Sequence, residues 1–183
     1  TVQAYDNTNK VVTVGIGAGG LPIHLSKEAS MAVVTKYGNG YPAPGALVAV
    51  DALDAEASVK CIYSKISIAN GDSANSKLYL GRVPSNARIL PSSTLYHEGV
   101  TSVNDFDVGF DNDADALVDG ADISTAGTKS LVSAIATGNL GKRAWEMAGL
   151  ASDPGGRLDV FATMKVAATA AKVIEAFIYY AKK

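Results

Sequence analysis

Between Asn104 and Phe110 the chain alternates without a fault, with Phe106, Val108 and Phe110 on one side and Asp105 and Asp107 on the other. Period two is the signature of an extended strand with one buried and one wet face, because successive Cβ atoms point to opposite sides. Read this way, Asp105 and Asp107 face solvent. The same logic extends backwards through Ser58 to Asp113, which reads as four strands in succession. In the first run Ile62, Ile66 and Ile68 share a face, interrupted by Lys60 and Ser64. Asn70 to Ser76 is dense in turn-forming residues. A second run, Lys77 to Val83, sets Leu78 and Leu80 against Lys77 and Tyr79, and Pro84-Ser85-Asn86 breaks it. The third run, Arg88 to His97, contains Pro91, which has no N–H for a ladder and so suggests an edge position or a bulge. Parallel pairing needs long crossovers, and none separates these runs. A mainly β domain follows, an antiparallel sandwich of the jelly-roll kind.

Beyond this block, Thr128 to Thr137 reads as helical through Leu131, Val132 and Ile135. A second helix over GKRAWEMAGL would be capped by Asn139, would share Leu140, Ala144, Met147 and Ala148 on one face, and would stop at Gly149. Ser152 to Gly156 is a turn. Leu158, Val160, Ala162, Met164 and Val166 then alternate with Asp159, Phe161, Thr163 and Lys165. From Lys172 to Lys182 both sides are apolar, Val173, Phe177 and Tyr179 on one and Ile174, Ala176, Ile178 and Tyr180 on the other. Such a strand belongs between two layers or beneath a subunit contact. The domain therefore runs over residues 58–183, with a short helical insertion near Thr128 to Leu150.

Residues 1–57 read differently, as an extended Gly/Pro-rich N-terminal arm. Thr1 to Asn9 is polar and expected to be loose, and Lys10 to Ile16 reads as a strand. Gly15, Gly17 and Gly20 have the spacing of a dinucleotide fingerprint, but Pro22 follows at once and no acidic residue ends a second strand, so a turn or arm is the reading. Val33-Val34-Thr35 and Leu47 to Val50 fit short strands between Gly38, Gly40, Pro42, Pro44 and Gly45. Ala52 to Ser58 makes a natural boundary.

The chemistry is sparse. Asp111, Asp113 and Asp115 alternate like the first ligands of a calcium loop, but Ala116 stands at the glycine position and Asp122 where a bidentate Glu belongs. A solvated acidic loop is the plainer reading, and Ca²⁺ at Asp111, Asp113 and Asp115 the alternative; no other cofactor is expected. The lone Cys61 reads as a small core or interface residue. His24 and His97 lie far from any nucleophile motif, and no G-x-S-x-G, H-E-x-x-H, P-loop or C-x-x-C occurs, so the chain does not read as an enzyme. Sixteen basic against eighteen acidic residues leave a net charge of −2, which offers nucleic acid and membranes no basic face. No apolar run approaches the roughly 20 residues of a spanning helix. With no charged-then-apolar leader, and a small first residue before which an initiator Met is readily removed, the expected product is made in a cytoplasm.

A family resemblance adds to this. LYLGRVPSNARILPSSTLYHEGVTSVNDFDVGFDNDADALVDGADI, from Leu78 to Ile123, resembles small structural proteins of tailed bacteriophages, in which a strand ending R-hydrophobic-P-S-N-A precedes one carrying DFDVG and then a DALVDGADI segment. Leu140 to Ala171 is similar to the C-terminal half of the same group. The resemblance implies a non-enzymatic virion protein at the capsid surface, a capsid decoration or cement protein whose partners are the major capsid protein and its own copies, as a homotrimer. Aromatic anchors dominate interfaces, which singles out Tyr37, Tyr41 and Leu47 in the arm and Trp145, Tyr179 and Tyr180 in the domain. The alternatives are a host-receptor or glycan-binding fibre or spike module, and a tail or adaptor component.

Overall fold

The computed structural model describes residues 2–5, 11–14, 33–38 and 59–182. Tyr41, Leu47, His24, the glycine run at 15–20 and the expected strand at Leu47 to Val50 lie outside them.

Strands β1 (Val2–Tyr5) and β2 (Val11–Val14) pair as an antiparallel ribbon with Val2 opposite Val14. The first residues, expected to be loose, thus contain a strand. All other strands belong to two facing sheets. One has β3 (Thr35–Tyr37), β5 (Ser76–Pro84), β11 (Arg157–Met164), β8 (Phe106–Phe110) and β9 (Asp113–Val118), in the order β3-β5-β11-β8-β9. The other has β10 (Gly127–Ser130), β7 (Thr94–His97), β12 (Lys172–Ala181) and β4 (Val59–Ile68) in that order, with β6 (Arg88–Ile89) also on β12. Among the described residues every pairing is antiparallel except β3 on β5. The fold is the expected mainly β sandwich.

The last two strands sit at the centre, β11 between β5 and β8 and β12 between β7 and β4. Between the sheets lies one core that includes Ile68, Leu78, Leu80, Phe106, Phe110 and Ile178. Full burial of each such side chain is worth about 1.5–3 kcal/mol. The layers meet so closely that a Cβ on Gly81 of β5 would stand 2.7 Å from Ile62 Cγ2 of β4. Ile62, Ser64, Ile66 and Ile68 do share the inward face of β4, as their spacing requires.

Pro91 is accommodated in an unexpected way. The third run splits into β6 and β7, both lying along the same side of β12, with the proline in the turn between them. Ser93 bridges the gap in the ladder: Tyr179 N–H donates to its Oγ at 2.9 Å, and the hydroxyl donates back to the Tyr179 carbonyl at 3.1 Å. A serine hydroxyl thereby replaces the donor and acceptor a continuous strand would have offered.

Four local expectations are corrected. Thr128 to Thr137 is not helical: β10 occupies Gly127–Ser130 opposite Thr94 to His97, followed by turns and one 3-10 turn at Thr137–Asn139. Gly, Thr and Ser favour neither helix interior nor helix propagation, and the open edge of β7 offers them a ladder. The second helix shrinks to one turn, α1 (Ala144–Met147). Its N-cap is Arg143, whose N–H donates to Glu146 Oε2 at 2.7 Å, not Asn139. Its stop is as expected, Gly149 having φ +68°. Asp107 does not face solvent. It is 4% exposed, accepts from Gly120 N–H at 2.9 Å and pairs with Lys165 at 2.9 Å, because the chain leaving β9 folds over the outer face of β8. Finally, the acidic stretch is no loop, since Asp113–Val118 is β9 and only Asp111 and Asn112 turn.

The β8–β9 hairpin gives a sharp test. A Cβ on Gly109 would lie 2.2 Å from the Asp113 carbonyl oxygen and 2.5 Å from the Ala114 carbonyl carbon, both main chain. Gly109→Ala is expected to lower unfolding free energy by about 3 kcal/mol or more in urea titration, since backbone cannot yield as a side chain does. Gly155→Ala, at φ +70° in open space, should cost only about 1–2 kcal/mol. Equal losses would contradict the hairpin geometry.

Candidate functional site: an aromatic face on the outer sheet

The alternation in β12 sends Ile174, Ala176, Ile178 and Tyr180 into the core and leaves Val173, Glu175, Phe177 and Tyr179 half-buried on the outer face. Tyr180, singled out above as a contact residue, is 4% exposed and belongs to the core. Its burial leaves no surface to offer a partner. The register then assembles a row from three strands: Tyr63 of β4 lies opposite Phe177, and Phe177 opposite Thr94 of β7. The next row brings Lys65, Glu175 and Tyr96 side by side. Phe177 is the hub. Its ring is 5.0 Å from that of Tyr63, tilted at 43°, and 5.8 Å from that of Tyr96, edge-on at 82°. Both arrangements are favourable for aromatic quadrupoles. Tyr96 and Tyr63 remain 49% and 38% exposed.

A hollow of about 430 Å³ opens over this row, lined by Ser92, Thr94, Tyr96, Glu175, Phe177 and Tyr179. A smaller one of about 230 Å³ adjoins it, sharing Tyr96 and Glu175 and reaching Lys65 and His97. Charge is balanced within the site. Lys65 Nζ sits 3.1 Å from Glu175 Oε1, and that hydrogen bond and charge hold the ammonium above its ordinary pKa. Cys61 is exposed beside Tyr179, not in the core, since the odd-numbered residues of β4 face outward. Its charged form and its hydrogen bond push the Tyr179 phenol up.

A second aromatic cluster lies where the arm meets the other sheet. Tyr37 stacks on Tyr79 at 5.0 Å and 14°, Tyr79 leans on Phe161 at 5.6 Å, and Lys77 Nζ is 4.2 Å above the Phe161 ring. Burial, then Asp111 and Asp159, raises the Tyr79 phenol. Lys36 fastens the strand by donating to Ser67 O at 2.9 Å and pairing with Asp72, whose carboxylate also accepts from Ala69 N–H. Tyr37 keeps 43% of its surface exposed. Of the residues expected in contacts, Tyr37 and Tyr179 therefore face outward in different clusters. Trp145 is half-buried on α1 with its indole N–H enclosed and without an acceptor, among the described residues.

In the acidic hairpin, burial and then the neighbouring Asp115 push the Asp113 carboxyl up, the ordinary result for two carboxylates sharing one strand face. Among the described residues no group of three or more His, Cys, Asp or Glu side chains is arranged to hold a metal ion, and no helix is long and apolar enough to cross a membrane.

Tyr63, Tyr96 and Phe177 as a group escaped the sequence reading. Their partnership depends on register between strands more than 100 residues apart, such as Tyr63 with Phe177, which periodicity within each strand does not encode. The one available signal was the apolar outer side of β12.

The fold matches known particles. A chain in the capsid of Ralstonia phage GP4 superposes with a TM-score of 0.58 at 15% identity, over 82% of this chain and 99% of that one. A chain in the cyanophage Pam1 capsid asymmetric unit gives a TM-score of 0.50 at 12% identity, over 79% and 99%. At such identities the likeness is one of fold. No family model matches the sequence, and neither does any curated protein.

Beneath the aromatic face, His97 is 6% exposed and, among the described residues, neither ring nitrogen has a hydrogen-bond partner of good geometry. Burial, then the Lys129 charge, holds its pKa below the ordinary value; the nearby Ile123 main chain and Asp122 offset this only in part. Unfolded, the ring titrates near 6.5. Below that pH the unfolded chain binds a proton the native chain refuses, so the stability owed to neutral His97 is complete above about pH 6.5 and is lost as pH falls. The melting temperature is expected to drop between about pH 7 and pH 5, and His97→Leu to flatten that part of the profile. An unchanged slope in the variant would contradict the assignment.

Proposed function

We propose that this chain is a structural protein of a phage-type virion, which coats the assembled shell and reinforces it by bridging neighbouring capsid subunits. The observation that carries the reading is the fold match, which takes in 99% of each capsid chain. Each of those chains is thus covered almost whole by this fold. The motif resemblance over Leu78 to Ile123 points the same way independently of the superposition. Net charge of −2 favours the outer side of the particle, away from the genome.

The arm supplies the means of bridging. Its strand β3 is tied to the sandwich by the Tyr37–Tyr79 stack and the Lys36–Asp72 pair, so force applied along the arm reaches the core. Residues 39–58 then separate β3 from β4, and residues 1–32 precede it. Trimers placed at threefold positions would let three arms engage three subunits at once, and the avidity of linked contacts would make a modest single contact sufficient.

Light scattering on the isolated protein is expected to give a trimer. Shells assembled without the protein should bind it to saturation in co-sedimentation and then withstand a higher temperature before releasing their contents. A monomer that stays in the supernatant at every ratio would overturn the reading.

A further inference from the structure

We propose that the hollow over Phe177 and Tyr179 is a binding site for a neutral oligosaccharide, at least two pyranose units long, running along β7 past Tyr96. The inference goes beyond the coat role and does not rest on it. A pyranose presents an apolar C–H face and a rim of hydroxyls, so its site must offer aromatic surface and hydrogen-bonding groups together. This hollow does both. Phe177, Tyr96 and Tyr179 supply rings, and Ser92, Thr94 and Glu175 supply polar groups between them. The Thr94 hydroxyl donates to Ser92 O at 3.0 Å, which leaves its oxygen ready to accept from a sugar hydroxyl.

The volume fits: about 430 Å³ lies within the range of small-ligand sites. The adjoining hollow of about 230 Å³, reached past Tyr96 and Glu175, gives a second sugar unit its place. Charge selects against other occupants. Glu175 is already matched by Lys65 at 3.1 Å, so an anionic ligand would face the carboxylate and a cationic one would compete with the lysine. Tyr96 keeps 49% of its surface on a strand, where stacking requires no reordering of a loop.

Saturation-transfer NMR on the full chain, with cellobiose, maltose, lactose and N,N′-diacetylchitobiose at millimolar concentration, tests this directly. Ring-proton signals are expected for at least one disaccharide. Tyr96→Ala, which gives up the edge-on contact with Phe177 and should lower the melting temperature only slightly, is expected to weaken that binding by up to about tenfold through loss of one stacking surface. Thr94→Val should weaken it with the rings intact. No transfer to any of the four sugars, transfer that survives Tyr96→Ala, or a preference for 3′-sialyllactose would each overturn the proposal. So would a trimer that falls apart in Tyr96→Ala with no sugar signal, which would give this face to copies of the chain. Shell co-sedimentation of Tyr96→Ala should be unimpaired, which separates this site from the coat role.

Discussion

The sheet that carries the aromatic face depends on the pairing of β12 with β4, a ladder whose register runs unbroken from Lys172 opposite Ile68 to Ala181 opposite Val59. Period two then does the sorting. One set of β12 side chains, Ile174 through Tyr180, is driven into the core, and the other, Glu175 through Tyr179, is left on the surface. Slipping the ladder by one residue would exchange the two sets and place Glu175 in the core. The same hydrophobic burial that holds the sheets together therefore fixes Phe177 beside Tyr63 and Tyr96. Site and core are two faces of one strand.

The molecule also has two distinct ends of business. On one sheet, Lys36, Asp72 and the Tyr37–Tyr79 stack bind the arm to the sandwich. On the other, the Phe177 row stands open with its charges matched internally. Central placement of β11 and β12 means that both sheets are completed by the last strands of the chain, so neither face exists without the C-terminal segment. His97 sits under the second face as a buried ring that disfavours protonation, which ties the stability of that sheet to pH.

Much of the sandwich was legible because period two survives in a single sequence. Phe106, Val108 and Phe110, the isoleucines of β4 and both sides of β12 were placed correctly from alternation alone. What failed depended on distant neighbours. Asp107 looked wet because nothing local says that Gly120 and Lys165 will cover it. Thr128 to Thr137 looked helical because Leu131, Val132 and Ile135 mimic a helical spacing, while the free edge of β7 that draws Gly127 to Ser130 into a strand is invisible in one dimension. Pro91 pointed to an edge or a bulge, whereas it sits in a turn between β6 and β7, and the repair by Ser93 belongs to tertiary structure. At the candidate site, Tyr179 was named from its character, whereas Tyr63, Tyr96 and Phe177 required register.

The most direct test of the coat reading is a cryo-electron microscopy reconstruction of shells to which the purified protein has been added. The account predicts sandwich density on the outside of the shell at its threefold positions, with the β3 edge and the arm against capsid subunits and the Tyr63–Phe177–Tyr96 row turned to solvent. Density inside the shell, at the tail, or absent altogether would contradict it.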